Sequence, residues 1–189
     1  MICDVSLPVR GGQSVAVIGG PGAGKTVLLS LLAGLDEPDG ATVFAAGRQM
    51  SRRSEAQRAR LRADRIGVLY PFGNLLEHLT VAQNIVFARH LAGRRGYREL
   101  RGRLARAGVA VALANDPPVL IAEEPGAGLD EPDEHRILGL LRAQADRGIA
   151  VLLATRSERV APWRDRVVQL TDGQIVGSSS RLSRTIAAR

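Results

Sequence analysis

Short apolar runs alternate with longer amphipathic stretches along this chain of 189 residues, and glycine and proline punctuate the changeovers. Ser14-Val15-Ala16-Val17-Ile18 is too short and too β-rich to be a helix on its own, so it is expected as a buried strand. Val27 to Ala33 follows as a helix opened by Thr26. Glu37-Pro38-Asp39-Gly40 is a turn, with a short strand over Ala41-Thr42-Val43-Phe44 after it. Ser54 is placed to cap a helix reaching Arg62, and Ile66 to Tyr70 is a second buried strand. Thr80 caps a helix that sets Val81, Ile85, Ala88 and Leu91 on one face. After a break at Gly93-Arg94-Arg95-Gly96, an alanine- and arginine-rich helix is expected from Arg98 to Ala114. Val119 to Ala122 is a strand ending at two acids. Glu131 to Gln144 is a helix with Ile137, Leu138 and Leu141 inward, and Ala150 to Ala154 is another buried strand. Arg166 to Leu170 and Gln174 to Val176 flank Asp172-Gly173 as a two-residue hairpin. Residues 1–177 read as one domain of alternating strands and helices, an α/β fold, and 178–189 as a flexible tail.

Composition narrows the picture. One cysteine, Cys3, rules out an internal disulfide and fits a reducing compartment. Aromatic residues are only 3% of the chain, so aliphatic side chains must fill the core. The sequence has no apolar stretch long enough to span a bilayer and no basic-then-apolar leader, which points to a soluble, cytoplasmic protein. The net charge of +7 raises nucleic acid as a partner. Against it, acids intersperse the first arginine cluster, as in Ser54-Glu55-Ala56-Gln57-Arg58, and no aromatic stacking surface is recognisable, so no nucleic-acid partner is expected.

Candidate chemistry begins at the single lysine among 26 basic residues. Lys25 stands in Gly19-Gly20-Pro21-Gly22-Ala23-Gly24-Lys25-Thr26, which satisfies G-x-x-x-x-G-K-[ST] at every fixed position. Glycines let the backbone curl with its N–H groups turned inward on an anion, and the following helix offers free donors and the positive end of its dipole. A slim ammonium can lie along a phosphate chain where a planar guanidinium cannot. Gly19 to Thr26 are therefore expected to bind the phosphates of ATP, with Lys25 on the β- and γ-phosphates and the Thr26 hydroxyl on Mg2+. A glycine-rich turn without a ligand is the plain alternative.

The strand Val119-Leu120-Ile121-Ala122, the acids Glu123-Glu124-Pro125 and Gly128-Leu129-Asp130 together resemble the Walker B and D-loop of ATP-binding cassette (ABC) transporter ATPases. Asn74-Leu75-Leu76 with His78-Leu79-Thr80-Val81 is similar to the region after that family's Q-loop strand. Ala112 to Pro117 resembles the end of the helix after its signature motif, and Arg164 to Val168 with Asp172 to Ile175 its closing strands. The likeness runs from about Val5 to Val176, nearest the branch serving lipoprotein release and macrolide or peptide export. It implies a P-loop NTPase with a mostly parallel sheet flanked by helices, and a shortened helical subdomain near 72–114. It implies Glu124 as the catalytic base and Glu123 as a metal ligand with Thr26. It also implies a membrane permease partner, a homo- or heterodimer with another ATP-binding subunit, and a place on the inner face of the cell membrane through that permease.

Several positions depart from the family pattern. Pro71 stands where a glutamine touches metal and water, and proline has no amide side chain. Glu123 replaces the Walker B aspartate, and Arg156 replaces the switch histidine. The signature segment reads Glu99-Leu100-Arg101-Gly102-Arg103, of which only Gly102 matches. Losing one positioned transition-state donor costs about 10²–10³ in rate, so ATP binding with impaired hydrolysis is expected. The competing readings are a catalytically degenerate regulatory module or decayed paralogue, and an unrelated P-loop kinase.

Overall fold

A computed structural model describes residues 2–93 and 107–180. Strands β1 (Ser14–Ile18), β4 (Ile66–Leu69), β5 (Val119–Glu123), β6 (Ala150–Thr155), β7 (Arg166–Thr171) and β8 (Gln174–Ser180) form one sheet, ordered β4-β5-β6-β1-β7-β8. Every pair is parallel except β7 with β8. Side chains alternate across this sheet. Val15 and Val17 enter one core with Leu28 and Leu29 of α1 (Lys25–Leu32). Ala16 enters the other with Leu120, Leu153 and the Leu138 and Leu141 side chains of α5 (Glu131–Asp146). Helices on both faces explain why these strands are apolar at nearly every position rather than at alternate ones.

Local signals account for the helix ends. Asp130 caps α5 by accepting from the Asp133 N–H at 2.9 Å, and Glu131, Asp133 and Glu134 place acid in its first turn. Thr80 caps α3 (Val81–Leu91) by accepting from the Gln83 N–H at 3.2 Å. Ser54 precedes α2 (Glu55–Arg65), and its own N–H donates to the Gln57 side chain at 3.2 Å. The helix α4 (Ala107–Ala112) supplies Val109 and Ala112 to the second core.

Two expectations need correction. The strand placed at Ala41 to Phe44 is instead a small antiparallel hairpin of β2 (Phe44–Ala45) and β3 (Arg48–Gln49). Ala46 and Gly47 both take positive φ, 46° and 75°, which gives the tight turn that a two-residue hairpin needs. On α3 the buried residues are Asn84 and Ile85, and Leu91 in the last turn is 64% exposed. The tail expected from residue 178 begins later. Gly177 to Ser180 continue β8, pairing Gln169 to Arg166, because a backbone ladder asks little of the side chains that ride on it. Of the helix expected from Arg98, only Ala107 onward falls in the described residues, and the segment Glu99 to Arg103 and residues 181–189 lie outside them.

Parallel strands carry their C-terminal ends to one edge of the sheet. The register sets Ile18 beside Thr155 and Ala154 beside Glu123, so the loops after β1, β6 and β5 leave side by side. With neighbouring strands about 4.8 Å apart, the ends of β1 and β5 stand roughly 10 Å apart across β6. That edge holds the site.

Candidate functional site

The glycines of the loop after β1 are not equivalent. A Cβ on Gly19 would stand 2.5 Å from the Leu170 carbonyl oxygen, so close backbone packing excludes any side chain there. Gly22 and Gly24 hold φ of 77° and 98°, a region that glycine enters without a steric penalty. Gly20 is different. It is exposed, its φ is not positive, and nothing lies within 4 Å of a Cβ built on it. The fold does not require glycine at 20, which is also one of the variable positions of the motif.

The loop is braced from behind. The Gly173 N–H, at the tip of the β7–β8 hairpin, donates to the Ala23 carbonyl at 3.0 Å, and the Cys3 N–H donates to the Gly173 carbonyl at 3.0 Å. The hairpin turn at Asp172 and Gly173 expected from the sequence thus supports the phosphate loop. Pro21 and Gly22 are exposed at its crest, Ala23 is buried beneath, and Gly24 caps α1. The first-turn N–H groups of α1 have no intrahelical acceptor and form an anion-binding end.

Lys25 folds back over this loop, with Nζ donating to the Gly19 carbonyl at 2.7 Å and the Gly20 carbonyl at 3.1 Å. The ammonium therefore sits at the loop's mouth, held by acceptors that a stronger anionic acceptor can replace. The Thr26 hydroxyl donates to Glu123 Oε1, joining the start of α1 to the end of β5. These two oxygens are hard donors of the kind Mg2+ takes. Among the described residues no group of three or more His, Cys, Asp or Glu side chains converges. A Mg2+ at Thr26 and Glu123 would complete its shell with phosphate oxygens and water.

Glu124 leaves the strand with φ 41°, a conformation that costs a residue with a Cβ. The turn sends its side chain across the end of β6. Oε2 accepts from the Thr155 hydroxyl at 3.0 Å and the Arg156 N–H at 3.2 Å, while Oε1 accepts from Arg156 Nε at 3.3 Å. The two acids thus face different partners, Glu123 toward the phosphate loop and Glu124 toward the loop after β6.

Sequence reasoning missed three groups here. Thr155 becomes visible only through the register of β6. Asn74 clamps the chain after β4, with Oδ1 accepting from the Tyr70 N–H at 2.7 Å and Nδ2 donating to the Tyr70 carbonyl at 2.6 Å. Tyr70 itself precedes Pro71, and burial pushes its phenol above the usual 10.0, with Arg62 opposing and Glu123 adding to the rise. Its hydroxyl is therefore a neutral donor within electrostatic reach of Glu123. The histidines do not gather at the site. His78 and His90 are exposed, and His135 packs edge-on against Trp163 with ring centroids 6.2 Å apart.

A phosphate loop between the central parallel strand and α1, with paired acids two strands away, defines a P-loop nucleotide-binding α/β domain. Within that class the chain belongs to the ABC transporter family, whose family model matches residues 2–127. The lipoprotein-releasing system ATP-binding protein LolD of Gluconobacter oxydans (strain 621H) is 36% identical over 201 aligned residues, covering 93% of this chain and 87% of LolD. The macrolide export ATP-binding/permease protein MacB of Salmonella typhimurium is 32% identical over 197, covering 92% of this chain. The chain spans 30% of MacB's length. Both relatives fall in the branch expected from the sequence. In fold, the chain resembles a dimeric post-hydrolysis structure of the ATP-binding cassette MJ0796 bound to ADP and Pi, with a TM-score of 0.83 at 23% identity over 95% of this chain and 90% of that one.

Proposed function

We infer that this chain is the ATP-binding subunit of an ABC transporter, coupling MgATP binding and slowed hydrolysis to a membrane permease. The observation that carries the reading is the loop itself: an open backbone at Gly20, an ammonium on exchangeable carbonyls and a hydroxyl–carboxylate pair at Thr26 and Glu123. In this reading Gly19 to Gly24 wrap the phosphates with main-chain N–H groups. Lys25 moves from the Gly19 and Gly20 carbonyls to the β- and γ-phosphates, and Thr26 and Glu123 hold Mg2+. Mg2+, when bound, supplies charge neutralisation at the phosphate oxygens. Glu124 orients the attacking water and accepts its proton.

Hydrolysis is slowed because Pro71 offers no amide to the metal and water, and Arg156 stands where the family has histidine. Self-sufficient turnover therefore falls by at least about 10²–10³. The chain pairs with a second ATP-binding subunit, identical or different, and only a different subunit with an intact signature supplies the contacts that this chain lacks. Among the described residues no helix is long and apolar enough to cross a membrane. Attachment to the inner face of the membrane is thus assigned to a permease. Phe72, Leu76, Phe87 and Leu91 leave apolar surface exposed around α3, as a permease-facing region needs.

Equilibrium titration with a labelled ATP tests the binding half. The protein is expected to bind, and Lys25→Ala to bind at least about tenfold more weakly; equal affinities refute the reading. Steady-state phosphate release, alone and with candidate permeases and partner subunits, tests the rest. The second reading, a nucleotide-sensing module without turnover, is favoured by Pro71 and is selected if no partner elicits release that Glu124→Gln abolishes.

A further inference from the structure

The loop after β6 carries two arginines, and each one engages a glutamate that lines the same cleft. Arg156 donates to Glu124 from both its backbone N–H and its Nε, as given above. Arg159, three residues on, donates from Nη1 to Glu134 Oε2 at 3.2 Å. Glu134 is 8% exposed, and its seat depends on Gly126, where a Cβ would stand only 2.6 Å from Glu134 Cγ. The loop is also braced internally. The Ser157 N–H donates to Thr155 Oγ1 at 3.0 Å, and the Arg159 N–H to Ser157 Oγ at 3.3 Å. Glu124, Glu134 and Arg156 together border an open cleft of roughly 360 Å3 at the edge of the nucleotide site.

This arrangement has a chemical consequence. A general base must present a free lone pair to the water it deprotonates. Three donors from the end of β6 instead occupy three of the roughly four lone-pair sites of Glu124, two on Oε2 and one on Oε1. The Arg156 side chain is 64% exposed, and a guanidinium has five N–H donors in a fork, of which only Nε is engaged on Glu124. The remaining donors face outward, ready for a phosphate, which is a better partner for an arginine fork than a shared carboxylate.

We propose that Arg156 is a positioning residue that latches Glu124 in the nucleotide-free chain. The terminal phosphate of the nucleotide competes for the guanidinium and so returns the carboxylate to the water. Arg159 on Glu134 pins the loop and keeps the latch in register. The release step rests on the ATP-hydrolysing reading above. The latch itself does not, since it is a property of the protein without ligand.

Two measurements on the full chain decide it. Backbone amide exchange over residues 155–159, without nucleotide, is compared among the wild type, Glu124→Ala and Arg159→Ala. Both variants are expected to exchange faster by about threefold or more in this segment, with the central strands unchanged; unaltered exchange in Glu124→Ala overturns the latch. MgATP affinity is then measured by titration in a cycle of Glu124→Gln and Arg156→Ala. Removing the competing carboxylate is expected to tighten binding about fivefold in the Arg156 background and much less in the Arg156→Ala background. Equal gains in both backgrounds reflect simple charge repulsion and overturn the competition. A wild type that fails to bind MgATP defeats the functional reading instead, and the exchange comparison still decides the latch.

Discussion

Thr26 and Glu123 are 97 positions apart in the chain, yet the hydroxyl of one donates to the carboxylate of the other. The contact closes the site across β6 and links the two side chains that the proposed function assigns to Mg2+. The hydrogen bond itself contributes only about 0.5–1.5 kcal/mol to folding. Its value lies in placement. Thr26→Ala is accordingly expected to leave the melting temperature almost unchanged. It should weaken MgATP binding by about tenfold, ~1.4 kcal/mol, and erase the difference between titrations with Mg2+ and with EDTA. A variant that keeps its Mg2+ dependence would remove Thr26 from the metal site.

Gly19 and Gly20 are neighbours with opposite expected phenotypes. At Gly19 an added methyl meets the Leu170 carbonyl oxygen at 2.5 Å and Ala23 Cβ at 2.9 Å. Gly19→Ala should destabilise the fold by roughly 1–3 kcal/mol, the usual cost of forced overpacking. At Gly20 the methyl meets nothing within 4 Å. Gly20→Ala should stay within about 0.5 kcal/mol of the wild type in denaturant melts. It should also keep its labelled-ATP affinity, because position 20 is a variable position of the phosphate-loop motif. A large loss of affinity in Gly20→Ala would show that the phosphates pack directly against position 20.

The legibility of the chain followed the range of the interaction. The phosphate loop was readable because the fixed glycines, the lysine and the threonine of its motif all fall within eight positions. The helix at Glu131 was readable because Asp130, Pro132 and the spacing of Ile137, Leu138 and Leu141 all speak for it locally. Gly177 to Ser180 were not, since their strand is held by backbone pairing to Gln169 through Arg166 and their serines carry no signal. Helical spacing set Ile85 and Leu91 on one face but did not say that only Ile85 is buried. Arg156 was recognised as a departure, but its grip on Glu124 depends on the β5–β6 register, Glu123 beside Ala154, which no short window of sequence contains.

At the start of α2, Arg58 donates to Glu55 at 2.8 Å and also reaches Glu37. The hydrogen bond from Arg58 holds the Glu55 carboxyl below its usual 4.5, with desolvation opposing and Arg62 assisting. A lowered folded-state value means that the contribution is present above the unfolded value and fades as pH falls through the folded one. The gap in melting temperature between the wild type and Glu55→Gln should therefore be small but measurable near pH 7 and narrow as pH falls below the ordinary carboxyl value. High salt should shrink it as well, because the pair is exposed. A gap that does not narrow on acidification would mean that Glu55 acts through something other than its charge.

Phe72 is 74% exposed and Leu91 64%, although both are large and apolar. Burial elsewhere does not depend on them, so Phe72→Ser and Leu91→Glu should preserve the melt and the affinity for ATP. If this surface meets the permease, phosphate release stimulated by a cognate permease should fall at least about tenfold, while release by the subunit alone is unchanged. Equal stimulation of wild type and variants would place the permease contact on another face.

Glu124 combines a carboxylate suited to catalysis with a backbone suited to glycine. Its φ of 41° keeps it in a region where a Cβ costs roughly 1–2 kcal/mol. That cost is offset by the Glu124 N–H donating to the Ala154 carbonyl at 2.7 Å and by the donors at the end of β6. Removing the carboxylate in two ways separates backbone from side chain. Glu124→Ala loses the hydrogen bonds and keeps the strain, whereas Glu124→Gly loses both. The glycine variant should melt about 2–4 °C above the alanine variant. Both should be without turnover, since neither can accept the proton of water. Coincident melts would mean that the backbone relaxes once the carboxylate is gone, and that the strain is maintained by the contacts to Thr155 and Arg156 rather than by the strand end itself.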